Sequence, residues 1–523
     1  MMDIQKKRLP IGIQDFEEMR NGGYHYVDKT DMVWEIANNH KFCFLSRPRR
    51  FGKSLLASTL HCYFAGKKDL FQGLKIMELE KEWPCRQVFH FDFSGISTAA
   101  KLRDVLGDTI KSYEVELNIT EPKSALSSRM IELMKKAYDK TGLQVAVLVD
   151  EYDTPLQNTL FKKEEQEALK DVYRDFFPCF KTGSHLLRCL FLTGIMKFMQ
   201  LSLFSVLNTV VNLSFKRKYA TICGITKEEL VQEFDAELET LAEEKAITKP
   251  EAFAEMEEMY DGYHFHWKCE GVFNPYSVIN ALNDCDIMNY WISTGGNQML
   301  SSMLERFASK EIDYERVDVD RLFLEESDAN ATNVILFLYQ AGYLTIKDFD
   351  GDVYTLGFPN REVRQALYKI VLPNALTKSE DEVTNCTTLI KSALNQTDIE
   401  AVVKNLKAII AGTPYSQDNS QKAMEERFVF IVKHILYLCK CELEEERHVA
   451  KGRIDLVAHH PKCILVMEMK MDANGGKAAA EEQMADRHYA DAYMTQHKPV
   501  FTISMEFSAE ERGMTSYHVN QVK

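Results

Sequence analysis

Apolar and polar positions along this chain alternate between two periods. Three short apolar runs, Phe42-Cys-Phe-Leu45, Val145-Ala-Val-Leu-Val149 and Leu187-Arg-Cys-Leu-Phe-Leu192, read as strands of the kind buried on both faces of a parallel sheet. Val88-Phe-His-Phe-Asp92-Phe-Ser94 alternates strictly and predicts another strand, with helix-patterned segments between. Residues 1–225 therefore read as a doubly wound α/β core. Behind Thr226-Lys-Glu-Glu229, a capping-box pattern, Glu, Ala and Leu recur at helical spacing up to Tyr260, which predicts a helical lid over 226–310. Within 311–375, a helix around Leu338 and Tyr339 leads to Tyr343-Leu-Thr-Ile346 and Val353-Tyr-Thr-Leu356, two short strands around the turn Asp350-Gly351. Helix followed by hairpin predicts a winged-helix-like module. Residues 376–420 are helix-prone and polar and close in a linker-like Thr413–Ser420, and residues 421–523 form a second α/β domain.

The strand ends carry the chemistry. The first apolar run meets Ser46-Arg-Pro-Arg-Arg-Phe-Gly52-Lys53-Ser54 and then a Leu-rich helix. Strand, turn and helix in that order make a phosphate-binding loop, because unpaired N–H groups at a helix N-terminus hold polyphosphate. Lys53 is expected on the outer phosphates and the Ser54 hydroxyl on Mg²⁺. Arg47, Pro48, Arg49, Arg50 and Phe51 stand where a general pattern begins with glycine, and Arg49 and Arg50 are expected to supplement phosphate binding. The second run ends in Asp150-Glu151-Tyr-Asp153, where Asp150 suits the Mg²⁺ water shell and Glu151 the orientation or deprotonation of the attacking water. The third ends in Thr193-Gly194; Thr193 reads equally as a sensor of the γ-phosphate and as the cap of a turn.

A second constellation lies in the C-terminal domain. A helix with Glu425, Glu426, Phe428, Ile431 and Ile435 precedes Gly452-Arg-Ile-Asp455, and Cys463-Ile-Leu-Val-Met467 runs into Glu468-Met-Lys470. On a strand Glu468 and Lys470 share a face, so carboxylate and ammonium converge. Asp455 and Glu468 are expected to hold Mg²⁺ or Mn²⁺, with Lys470 positioning or deprotonating water for phosphodiester hydrolysis, and Glu426 as a further carboxylate ligand.

Composition narrows the class. At 523 residues, 45% hydrophobic and 27% charged, the chain has the make-up of a multidomain globular protein. No apolar run is long enough to span a bilayer, and Met1–Arg8 lacks the apolar core of a signal peptide, so a cytoplasmic enzyme without membrane contact is expected. Twelve scattered cysteines carry neither disulfide nor zinc spacing. The net charge of −15, with 14 Lys and Arg against 16 Asp and Glu from Gln421 onward, argues against avid non-specific binding to nucleic acid.

These residues carry a resemblance. Leu9–Phe16, Tyr26–Thr30, Arg47–Ser54, Val149–Asp153, Thr193-Gly194, Tyr260–Tyr263, Phe273–Tyr276, Tyr339–Tyr343 and Gly452–Asp455 follow the order seen in the bacterial AAA-ATPase-like family that carries a C-terminal nuclease domain of the PD-(D/E)XK superfamily, and the sequence resembles that family over nearly its whole length. The resemblance implies a P-loop NTPase core of AAA-like type and a restriction-endonuclease-like C-terminal domain. It also implies ATP and a divalent metal as cofactors, nucleic acid, DNA first, as partner, and support of the nuclease site by Gln483 and Tyr489. Relatives carry His where this chain has Phe430. A homo-oligomer is compatible with all of this. The alternative to an ATP-hydrolysing nuclease is a nucleotide-gated interaction switch or protein remodeller whose nuclease-like domain does not cut.

Overall fold

The computed structural model describes residues 7–197, 210–291, 300–304, 313–326, 333–411, 421–449, 452–487 and 489–523, with the backbone alone at 421–423, 445–449, 452–454, 483–487, 489 and 491. The chain divides into two compact units, Met1–Thr294 with Asp313–Val363, and Gly295–Ile312 with Arg364–Lys523.

The first unit is built on a parallel sheet of β1 (Phe42–Ser46), β2 (Val88–Asp92), β3 (Val145–Asp150), β4 (Leu187–Gly194) and β5 (Val211–Asn212), in the order β2-β3-β4-β1-β5. The apolar runs become strands because helices cover both faces: Val145 to Val149 are all fully buried. This order places β4 between β1, which feeds the phosphate loop, and β3, which ends in acids. The carboxyl ends of all three therefore open on one edge, where ligands bind in such sheets.

The helical spacing between Thr226 and Tyr260 resolves into two helices. Thr226 and Thr248 each close a capping box, on Glu229 and Glu251, and start the helices Lys227–Glu244 and Lys249–Tyr260. The break falls at Ala246, whose φ of 53° lies in the left-handed region, and Pro250 can only stand in the first turn of a new helix. With Pro275–Asp284 they enclose their own core of Leu230, Leu238, Leu241, Met256 and Tyr260. The helix Val334–Ala341 is followed by β7 (Thr345–Phe349) and β8 (Val353–Gly357), which join β6 (Val317–Asp320) in an antiparallel sheet ordered β6-β8-β7. This helix-and-hairpin segment is part of the first unit rather than a separate body.

The second unit carries a mixed sheet of β9 (Glu442–Val449), β10 (Gly452–His459), β11 (Ile464–Met471), β12 (Val500–Ser508) and β13 (Gly513–Gln521), ordered β13-β12-β11-β10-β9. Pairing is antiparallel except between β11 and β12. The helix-prone stretch after 376 belongs to this unit. Its helices Glu380–Gln396 and Ile399–Ile410 bury Val383, Ile390, Leu394, Val402 and Leu406, and Lys407 Nζ donates to Thr515 O at 2.6 Å. The linker expected at 413–420 and part of the lid expected over 226–310 lie outside the described residues. No helix among the described residues is long and apolar enough to cross a membrane.

Candidate functional sites

In the first unit, Gly52 (φ 85°) turns the chain into the helix Lys53–Phe64 with no side-chain cap, which leaves the first-turn N–H groups available to an anion. Lys53 is buried beneath the loop, and its Nζ donates to Pro48 O at 2.9 Å. Burial lowers its pKa against the opposing pull of Asp150, Glu151 and Asp153, which places three carboxylates around one ammonium. Asp150 is buried at the end of β3 and accepts from Glu151 N at 2.9 Å. Glu151 sits in left-handed backbone (φ 50°), an uncommon state for a non-glycine residue, and its Oε2 accepts from Thr154 Oγ1 at 3.1 Å. Thr193 is fully buried, and its Oγ1 has no hydrogen-bond partner among the described residues.

The unusual loop residues are held by segments far away in sequence. The Arg47 guanidinium is buried, donates to Ser46 O, Ser214 O and Tyr219 O at 2.8, 3.1 and 2.7 Å, and lies 4.0 Å over the Phe265 ring; burial pulls its pKa down to about 10. Its charge is thereby committed to the fold, so the guanidinium expected at a nucleotide is instead occupied by backbone carbonyls and an aromatic ring. Phe51 packs edge-on against Tyr263 and Phe265, and Arg50, exposed, lies 4.9 Å over Tyr276. Gly342 meets Pro48 so closely that a Cβ there would be 2.6 Å from the Pro48 Cβ. The motifs around 260–276 and 339–343, which had no assigned role in the sequence, thus form a collar around the phosphate loop.

In the second unit Asp455 and Glu468 face one another across β10 and β11, one step beyond the paired Leu456 and Met467. Asp455 Oδ2 accepts from Met469 N at 2.9 Å. Lys470 Nζ lies 3.1 Å from Glu468 Oε1 and 3.8 Å from Asp455 Oδ2. Glu468 is wholly buried, and neither of its oxygens has an aligned hydrogen bond among the described residues. Burial first, and the Asp455 charge second, push its pKa up to about 7. Lys470 shifts upward although burial opposes it, because Asp455 and Glu468 stabilise the ammonium.

On the preceding helix, Gln421–Leu438, two neighbouring acids differ in setting. Glu425 adds to the field at Lys470 and accepts from Asn474 Nδ2 at 3.2 Å, whereas Glu426 is exposed. Helical phase carried the signal, since Glu425 lies three and seven residues before the buried Phe428 and Val432. Gln483 lies on the helix Gly476–Arg487 and Tyr489 on the following short helix Tyr489–Tyr493; their side chains are outside the description. Among the described residues no three His, Cys, Asp or Glu side chains gather closely enough to cage a metal ion. Two facing carboxylates, one wholly buried and one partly exposed, instead suit a cation that retains water and takes further oxygens from a phosphate, as Mg²⁺ does.

Residues 10–204 match the family model described as a predicted AAA-ATPase, and residues 425–516 match that of the PD-(D/E)XK nuclease superfamily. The chain therefore joins an AAA-ATPase-like domain to a PD-(D/E)XK nuclease-superfamily domain. It is 28% identical to an uncharacterized protein in the vnfD 5′ region of Azotobacter chroococcum mcd 1, over 99% of this chain and 100% of that protein, so the likeness spans both units.

Proposed function

We propose that this protein binds and hydrolyses ATP at the phosphate loop and cleaves nucleic-acid phosphodiesters, DNA first, at Asp455, Glu468 and Lys470 with Mg²⁺ or Mn²⁺. In the first site the N–H groups after Gly52 and the Lys53 ammonium hold the outer phosphates. Lys53 exchanges the Pro48 carbonyl for them. Ser54 and Asp150 would hold the Mg²⁺ that accompanies ATP, Glu151 orients the attacking water, and Thr193 Oγ1 donates to the γ-phosphate. In the second site Asp455 and Glu468 would hold the divalent ion, which when bound polarises the phosphate and acidifies water. Lys470 orients the attacking water from between the two carboxylates and offsets the charge that develops on phosphorus oxygens. Glu425 supplies the further carboxylate, and Gln483 and Tyr489 support the strand from the following helices.

The observation that carries this reading is Glu468, a wholly buried carboxylate whose only close positive partner among the described residues is the Lys470 ammonium, 3.1 Å from Oε1 and shared with Asp455. Two carboxylates thus face one ammonium, an excess of negative charge that a divalent cation would offset. The test is incubation of the full chain with supercoiled, linear and single-stranded DNA and with RNA, with Mg²⁺ or Mn²⁺, with and without ATP. Metal-dependent cutting lost in Lys470→Ala, and ATP turnover lost in Lys53→Ala, are expected. Turnover without cutting under any condition would instead support the nucleotide-gated switch.

A further inference from the structure

The buried, unpartnered Thr193 hydroxyl can serve a ligand only if the backbone beneath it is fixed, and that backbone is gripped from the neighbouring strand end. Asp153 is fully buried, and its Oδ2 accepts from Ile195 N at 3.0 Å and from Met196 N at 2.6 Å. Tyr152 N donates to Thr193 O at 3.1 Å and Tyr152 Oη to Met196 O at 2.8 Å. From the phosphate loop, Arg47 N donates to Gly194 O at 3.2 Å. Asp153 Oδ1 is pressed against Gly194, where an added Cβ would lie 2.1 Å away, so the absence of a side chain at 194 is what this contact requires. Burial raises the Asp153 pKa to about 6, a cost that an apolar residue of similar size would not impose.

We propose that Asp153 is a positioning residue for ATP hydrolysis: its carboxylate ties the turn Thr193–Met196 to the acid-bearing end of β3 and so sets the Thr193 hydroxyl in register with Asp150 and Glu151. This rests on the ATPase reading above and adds a residue to it. The acid acts through the Ile195 and Met196 N–H groups, from which it accepts on the same oxygen that also accepts from Gln157 Nε2 at 2.5 Å, and not by touching the reacting atoms. Displacement of a positioned group by about 1 Å costs on the order of 10²-fold in rate, which is the scale on which such a brace matters.

The test measures ATP turnover and the affinity of a fluorescent ATP analogue for the full chain carrying Thr193→Ala, Asp153→Ala, Asp153→Asn, Gly194→Ala, or Thr193→Ala with Asp153→Ala. Turnover in Asp153→Ala should fall about as far as in Thr193→Ala, roughly 10- to 100-fold, with analogue affinity within about threefold of wild type. The double variant should be no slower than the slower single one, because both remove the same contact. Asp153→Asn keeps an oxygen for both N–H donors and should retain most turnover. Gly194→Ala, which forces Asp153 aside, should repeat the Asp153→Ala loss and serves as the test if that variant does not fold. Losses that multiply in the double variant, or full turnover in Gly194→Ala, would overturn the proposal while leaving the ATPase reading intact. Analogue binding by a wild-type protein with no turnover would remove both.

Discussion

Lys53 and Lys470 are the same side chain in opposite settings. Both are taken out of water, yet Lys53 shifts down and Lys470 shifts up. Lys53 spends its hydrogen bond on a neutral carbonyl with three carboxylates at longer range, and burial prevails. Lys470 stands in ion-pair contact with two carboxylates, and their charge prevails. The first site is made by backbone and by packing of distant segments onto a loop, the second by side chains on one face of adjacent strands. Damage should therefore differ in kind: the first unit should respond to changes in its collar, the second to changes of single charges.

Lys470→Ala should have the largest effect, lowering metal-dependent cleavage by roughly 10³-fold while ATP turnover stays near wild type, read by parallel gel and phosphate-release assays. Next, Arg47→Met should destabilise the first unit by about 3 kcal/mol, since it strands three carbonyls in a buried place. All four tryptophans (Trp34, Trp83, Trp267 and Trp291) lie in that unit, so urea unfolding followed by tryptophan fluorescence reads it alone.

Glu362 gives a pH signature to the same unit. Its buried carboxylate accepts from Ser277 Oγ, Tyr290 N and Trp291 N, and burial raises its pKa to about 7. A raised carboxyl favours the protonated folded state, so its contribution is complete below the ordinary value of 4.5 and is lost as pH climbs through 7. Fluorescence-monitored stability should fall by on the order of 2 kcal/mol between pH 5 and 8, and Glu362→Gln should flatten the slope above pH 6, leaving below it the part that buried Asp153, raised to about 6, contributes. The smallest effect separates two neighbours: Glu425→Gln should slow cleavage about tenfold and Glu426→Gln by less than twofold, in single-turnover assays at saturating Mn²⁺.

These effects also mark what could be read from the chain. The strands at Val88, Val145 and Leu187 were legible because burial on both faces leaves continuous or strictly alternating apolar residues. The loop, Asp150, Glu151 and the Glu468-Met-Lys470 strand were legible because their chemistry is contiguous. The collar was not, because Phe265, Tyr276 and Gly342 meet the loop only after the chain has folded back on it. Asp153 was visible as a residue but not as a brace, since its partners Ile195 and Met196 lie about 40 residues away in the turn that follows another strand. The restart of the helix after Ala246 is written in the Thr248-Lys-Pro-Glu251 cap.

The most direct test of two separately addressed sites is crossed titration calorimetry of Mn²⁺ and of ATP into wild type, Lys53→Ala and Glu468→Gln. Two such sites require that Lys53→Ala loses ATP and keeps the metal-only isotherm, while Glu468→Gln loses that isotherm and keeps ATP. Loss of both ligands from either variant, or Mn²⁺ binding untouched by Glu468→Gln, would contradict this.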